Sequence, residues 1–283
     1  MEKLLIETSP GVITQTYWHQ GGDKLIVWHH GTPAPRPMSP QMLEVFSSHG
    51  YSVAAPVRQG YMQSTEVGPR PIGDDAKVTK AVVEQLGFSE FRTIGYSGGG
   101  PRALADLGLV DSCVAGIAFA PMVPTNLPDF NPLANAPEEE VKVFDEVRRW
   151  EGNLEERFRA WQAEFSGQDP LADYKDADDE TKAWLDSPDA QFRFAQKDLA
   201  FESGVRGWML DEYSMLVDYG FDISSITKPL HIITGDKDVN VDMSCSVWLN
   251  QAVAGSKLRI YEGYGHSRIF NIDTIDTALR ELQ

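Results

Sequence analysis

Ser97 stands between Gly95 and Gly99 in the run Ile94-Gly95-Tyr96-Ser97-Gly98-Gly99-Gly100-Pro101, where an apolar stretch gives way to a helix-forming one. A serine in a G-x-S-x-G run between a strand and a helix occupies a sharp turn. Its backbone is strained, commonly at positive φ, and glycines two residues to either side remove the collisions that side chains would cause. The hydroxyl then projects beyond the sheet edge, while the amides of Gly98 and Gly99 open the next helix and face developing negative charge. The chemistry open to such a group is nucleophilic attack on a carbonyl. A hydroxyl is a weak nucleophile at neutral pH, so it needs a base, and the base needs a partner that fixes its tautomer.

Six histidines are available. His266, in Gly263-Tyr264-Gly265-His266-Ser267, sits on a glycine-rich loop just after the last apolar strand, from which a side chain can reach back over the sheet edge. It is the candidate base. In this arrangement the acid lies between the serine and the histidine in the chain, and Thr234-Gly235-Asp236-Lys237-Asp238 supplies it. Asp238 is the first choice because it is further from the strand end, with Asp236 as the fallback. The alternation Asp236, Asp238, Asn240, Asp242 also looks like the opening of a calcium loop, but Val241 and Val247 occupy the places that need glycine and a bidentate glutamate, so no metal is expected. The oxyanion donors expected are the amide of Gly98 and, from His30-Gly31-Thr32-Pro33, that of Thr32, since proline has no N–H. His30 is read as a brace for that loop and His29 as a packed core residue. Tyr96 and Trp208 are the candidate pocket residues. Trp150, Trp161 and Trp184 are read as packing between helices, and Glu138-Glu139-Glu140 as a solvated helix start.

The elements that must position these groups follow from hydrophobic patterning. Leu4 to Glu7 and Val12 to Trp18 read as paired edge strands, and Lys24 to His29 as a strand covered on both faces. A helix over 39–49, a strand over 51–55, a helix from Asp74-Asp75 to about Leu86, the elbow strand from about Phe91, a helix over 101–108 and a strand over 114–119 continue the alternation. Strands alternating with helices imply a mostly parallel sheet of about eight strands, flanked by helices. From 122 to 220 the pattern is helical and rich in charge and tryptophan, with helices expected over 138–150, 154–165, 190–201 and 205–217 and a charged connector over 173–180. That stretch is predicted to be an inserted helical cap, dividing the core into 1–121 and 221–283. The core then resumes with strands over 230–234 and 257–261 and helices over 244–252 and 273–282.

With 283 residues, 42% of them hydrophobic, the chain can bury a sizeable core without staples, and Cys113 and Cys245 are expected to be buried, reduced thiols. The formal net charge of −17 repels nucleic acid and anionic membrane surfaces alike. No signal-peptide pattern and no apolar run near the membrane-spanning length is present, so the reading is a cytoplasmic protein, monomer or homodimer, acting on a small molecule without a cofactor.

Taken together, the His30-Gly31-Thr32-Pro33 loop, the Gly95–Gly99 elbow, the Gly235–Asp238 loop and Gly265-His266 resemble, in that order, the α/β-hydrolase fold family with a helical cap. The likeness is to the branch of proline iminopeptidases and small-ester hydrolases. The resemblance implies Ser97 as nucleophile, His266 as base, Asp238 as acid, and Thr32 with Gly98 as oxyanion donors. It implies a serine hydrolase cleaving a small ester through an acyl-enzyme. The chain has His30-Gly31-Thr32-Pro33-Ala34 where iminopeptidase-like enzymes carry HGGPG, and it has a serine where the dehalogenases and epoxide hydrolases of this fold use aspartate. An aminopeptidase and a small-molecule receptor on the same scaffold stand as the alternatives.

Overall fold

A computed structural model of the chain describes residues 1–167, 174 and 177–282. Among these, eight strands form one sheet in the order β1-β2-β4-β3-β5-β6-β7-β8. β1 (Glu2–Ser9), β2 (Val12–His19) and β4 (Tyr51–Pro56) pair antiparallel, while β3 (Lys24–His29), β4, β5 (Phe91–Tyr96), β6 (Cys113–Phe119), β7 (Leu230–Gly235) and β8 (Lys257–Tyr261) run parallel. The expected class, a mostly parallel sheet flanked by helices, is the one observed.

The strand β3 shows why. Leu25 and Val27 enter the core on one face of the sheet, and Ile26 and Trp28 the core on the other. All four are buried, and a strand sends successive side chains to opposite faces, so an unbroken apolar run is stable only between two helical layers. One layer holds α1 (Pro40–Ser48) and α11 (Ile272–Glu281), whose Phe46, Ile275 and Leu279 are fully buried. The other holds α2 (Asp75–Gln85), α3 (Gly100–Leu109) and α9 (Met243–Ala252), with Val82, Leu104 and Leu249. Caps fix the helix starts. Ser39 accepts the Met42 amide at the head of α1, and Asn271 with Thr274 forms a capping box at the head of α11, each cap contributing about 1 kcal/mol.

Between β6 and β7 the chain is helical, with α4 (Glu138–Arg149), α5 (Leu154–Gly167), α6 (Asp179–Leu185), α7 (Pro188–Phe194) and α8 (Arg206–Leu216). Two expectations are corrected here. The helix expected over 190–201 is two pieces, α7 and a 3-10 turn over Lys197–Phe201, and the connector expected over 173–180 ends inside α6, where Asp178 caps the helix by accepting the Thr181 amide. Residues 173, 175 and 176 of that connector lie outside the described residues. A further short helix, α10 (His266–Ile269), follows β8. Cys113 and Cys245 are free and buried, as expected. No helix among the described residues is long and apolar enough to cross a membrane.

Candidate active site

Every chemistry-bearing residue singled out on the core sits at the carboxyl ends of the parallel strands, the end at which open α/β sheets build their sites. The β5–α3 elbow supplies Ser97. Its φ is +54°, a conformation that costs a non-glycine residue of order 1–3 kcal/mol and persists only where the surroundings fix it. The surroundings here are two glycines: a Cβ on Gly95 would lie 2.2 Å from the Gly99 oxygen, and one on Gly99 would lie 2.2 Å from the His29 oxygen. Ser97 opens a 3-10 turn over Ser97–Gly99 that runs directly into α3.

After β7, Asp238 turns one carboxylate oxygen toward the Asn240 and Val241 amides, both at 2.9 Å. The other accepts a hydrogen bond of 2.7 Å from His266 Nδ1, and the carboxylate is fully enclosed. A carboxylate only accepts, so of the two neutral imidazole tautomers this contact selects the one with its proton on Nδ1 and its lone pair on Nε2. Asp236 is used elsewhere, accepting the Gly263 amide at 2.7 Å, and Asp242 caps α9. The alternating carboxylates thus have separate tasks. Among the described residues no group of acidic, histidine or cysteine side chains converges in a metal-binding cluster.

Tyr96 packs its ring 5.0 Å from that of His266 and donates its hydroxyl to the His266 carbonyl at 3.1 Å, so it bears on the turn that carries the imidazole. No hydrogen bond joins Ser97 to His266 among the described residues. Trp208 lies on α8 in an aromatic cluster with Phe158, Trp161, Phe165 and Phe201, and its indole N–H goes to Glu212 at 3.0 Å.

The loop after β3 brings Thr32 against the elbow. A Cβ on Gly98 would lie 2.4 Å from Thr32 Oγ1, so the two residues touch, and neither the Thr32 nor the Gly98 amide donates to an acceptor among the described residues. His30 is the expected brace: Nδ1 donates to the Gly31 oxygen at 2.7 Å and Nε2 accepts the Arg58 amide at 3.4 Å. Burial, with the charge of Arg58 beside it, holds the His30 imidazole well below its usual range, which keeps it neutral. His29 is buried, as expected, with Nε2 donating to Asp106 at 2.7 Å.

What sequence reasoning missed is the buried ionic cluster behind this loop. Arg58, from the loop after β4, forks onto Asp211 of α8 through Nε at 2.6 Å and Nη2 at 2.5 Å. The same guanidinium donates to the carbonyls of His30 at 2.7 Å and Gly31 at 3.0 Å. Arg102 of α3 donates to the Gly98 carbonyl at 2.6 Å, to Asp75 at 3.1 Å and to Asp211 at 3.4 Å, and also bonds Ser214. Asp211 further accepts the hydroxyls of Thr32 at 2.9 Å and Tyr61 at 3.0 Å. Burial alone would raise the Asp211 carboxyl, but Arg58 and Arg102 outweigh it and bring it below the ordinary carboxylate range. Removing one member of such a set leaves an uncompensated buried charge, at a cost of about 3–5 kcal/mol.

No protein-family model and no curated protein sequence matches the chain. Solved structures do. A bromoperoxidase from Bacillus anthracis is similar at 18% identity over 99% of both chains, with a TM-score of 0.71. An esterase from Exiguobacterium antarcticum matches at 17% identity over 99% of this chain and 98% of its own, with a TM-score of 0.71. An alpha/beta hydrolase fold protein from Nakamurella multipartita matches at 18% identity over 99% and 98%, with a TM-score of 0.69. Likeness of this extent, over a sheet of this order with an elbow after β5, makes the chain an α/β-hydrolase fold protein.

Proposed function

We propose that the chain is a serine hydrolase that cleaves a small ester through an acyl-enzyme. The observation that carries this reading is the pairing of His266 with an enclosed Asp238 at the same strand edge as the strained Ser97. Ser97 Oγ attacks the ester carbonyl as its proton passes to His266 Nε2; Asp238 stabilises the imidazolium, and the Thr32 and Gly98 amides hold the oxyanion. Collapse of the tetrahedral intermediate breaks the carbon–oxygen bond, and the imidazolium protonates the departing alcohol. Water, deprotonated by the same imidazole, then attacks the acyl-enzyme; the bond from the acyl carbon to Ser97 Oγ breaks, the imidazolium returns the proton to Oγ and the acid leaves, so the cycle calls on no cofactor. The resemblance of the fold to esterases agrees with an oxygen leaving group.

A fluorophosphonate probe, with the adduct mapped by mass spectrometry, tests this reading. Modification of Ser97 in the wild type and near-silence in Ser97→Ala and His266→Ala support it. Failure to modify Ser97 in folded protein refutes it and favours a binding protein on a hydrolase scaffold. Comparing alkyl esters with proline and alanine arylamides then separates an esterase from an aminopeptidase.

A further inference from the structure

We infer that Asp211, on α8, is a positioning residue whose single carboxylate holds both halves of the oxyanion hole in register, so the hole is complete only with α8 seated on the core. This rests on the hydrolase reading for its catalytic consequence but not for its geometry.

The argument starts from the planarity of the peptide bond. In a trans peptide the C=O and the following N–H point in opposite directions, so whatever holds the oxygen aims the amide. The Gly31 oxygen is held by Arg58 Nη2 at 3.0 Å and by His30 Nδ1 at 2.7 Å, which aims the Thr32 N–H away from the arginine. On the other half, the Gly98 oxygen is held by Arg102 Nη1 at 2.6 Å and the Ser97 oxygen by the Met122 amide at 3.4 Å, which together fix the peptides on both sides of Gly98. One guanidinium comes from the loop after β4 and the other from α3, and two like charges in one buried space repel. Asp211 Oδ1 accepts from both, Arg58 Nε at 2.6 Å and Arg102 Nη2 at 3.4 Å, while its Oδ2 accepts the Thr32 hydroxyl. One carboxylate therefore links the donor loop, its two carbonyl clamps and the elbow.

That carboxylate does not belong to the sheet or to the elbow. It is carried by a helix from the segment between β6 and β7, which docks through a close backbone contact: a Cβ on Gly207 would lie 2.4 Å from the Tyr61 ring, and Tyr61 itself donates to Asp211. The seating of α8 and the aim of the Thr32 amide are therefore a single structural event. Groups that hold donors in place act in the transition state, where charge sits on the oxygen, far more than in the ground state.

The experiment compares wild type with Asp211→Asn, which keeps the shape but drops the charge, and with Thr32→Val, which leaves both arginine–carboxylate pairs in place and removes the hydroxyl that donates to Asp211 Oδ2 at 2.9 Å and accepts from Arg58 Nη2 at 3.0 Å. The first readout is amide hydrogen exchange of the peptide covering 29–34 against that covering 230–235. Selective faster exchange in 29–34 is expected for both variants, and unchanged exchange there overturns the inference whether or not the chain proves to be a hydrolase. The second readout is kinetic: kcat for an ester falls ~10–100-fold in Asp211→Asn, less than for deletion of a donor, with KM within about threefold. A trifluoromethyl ketone, which forms a tetrahedral adduct, loses affinity by the same factor while the product carboxylate does not. Equal loss of both affinities assigns Asp211 a merely structural role and overturns the inference. Should Asp211→Asn fail to fold, Thr32→Val alone decides by the same criteria. Should Ser97 resist the phosphonate in wild type, the hydrolase reading falls and the exchange result stands by itself.

Discussion

Glu212 offers a direct test of the electrostatics of α8. Burial pushes its carboxyl from the usual 4.5 up to about 7, against the stabilising indole N–H of Trp208, with the Asp211 charge adding to the rise. A carboxyl that is harder to ionise in the folded than in the unfolded chain stays protonated in the native state while the unfolded state releases its proton. Stability therefore falls as pH rises from about 4.5 to about 7 and stays reduced above that. The gap between the two pKa values corresponds to about 3 kcal/mol at most. Glu212→Gln keeps an acceptor for Trp208 and removes the ionisation. It is expected to be near wild type in stability at pH 4, and more stable by an amount growing to about 2–3 kcal/mol at pH 8. Urea unfolding of both proteins at pH 4, 6 and 8 measures this, the difference between them cancelling the other titrating groups. A stability difference that does not change with pH, or one that is larger at pH 4, would refute the assignment of a proton to Glu212.

Further expectations follow from the same geometry. Asp238→Asn leaves the shape of the loop but cannot fix the imidazole tautomer in the same way, so ester kcat should fall about 10³–10⁴-fold with little change in KM; steady-state kinetics checks it. Gly98→Ala puts a Cβ 2.4 Å from Thr32 Oγ1 and 3.0 Å from Met215 Sδ, so turnover should drop at least ~10-fold as the donor loop is pushed away, read as kcat in protein of unchanged circular dichroism. Phe158→Ala removes a fully buried ring packed against Trp161 at 5.1 Å and Trp208 at 5.3 Å, at an expected cost of about 3–5 kcal/mol in denaturant unfolding. A loss below about 1 kcal/mol would mean that α5 and α8 do not pack this way.

The core was readable because its signals are local and repeated. A four-residue apolar run such as Leu25–Trp28 in a six-residue strand bounded by turn residues has few other structures open to it. A serine between glycines at a strand end is equally local, and Asp238 over Asp236 followed from how far a loop must reach. The helices between β6 and β7 were less legible at their breaks. Nothing in Phe194-Ala195-Gln196 marks an end to helical propensity, so the division between α7 and the turn after it comes from packing. The ionic cluster was invisible for a different reason. Asp211 in Trp208-Met209-Leu210-Asp211-Glu212 looks like any charge on a helix, and Arg58 and Arg102 lie 153 and 109 residues away. A carboxylate buried by long-range partners has no signature of its own until the chain has folded.

On the proposed serine-hydrolase reading, the order of the site along the chain also sets when it can begin to work. Ser97 is synthesised 169 residues before His266, which at ~5–20 residues per second on a ribosome is a wait of roughly 10–30 s. During that interval β3, β5 and β6, which flank the elbow, are already synthesised, but on the proposed reading its hydroxyl has no base, and α8, whose Asp211 accepts from Thr32 and Arg58, follows all three strands in the chain. The nascent chain is thus born inert. On the proposed reading it gains reactivity only when the chain after β8 delivers the His266 imidazole, so the last strand to be translated arms the serine at the end of β5.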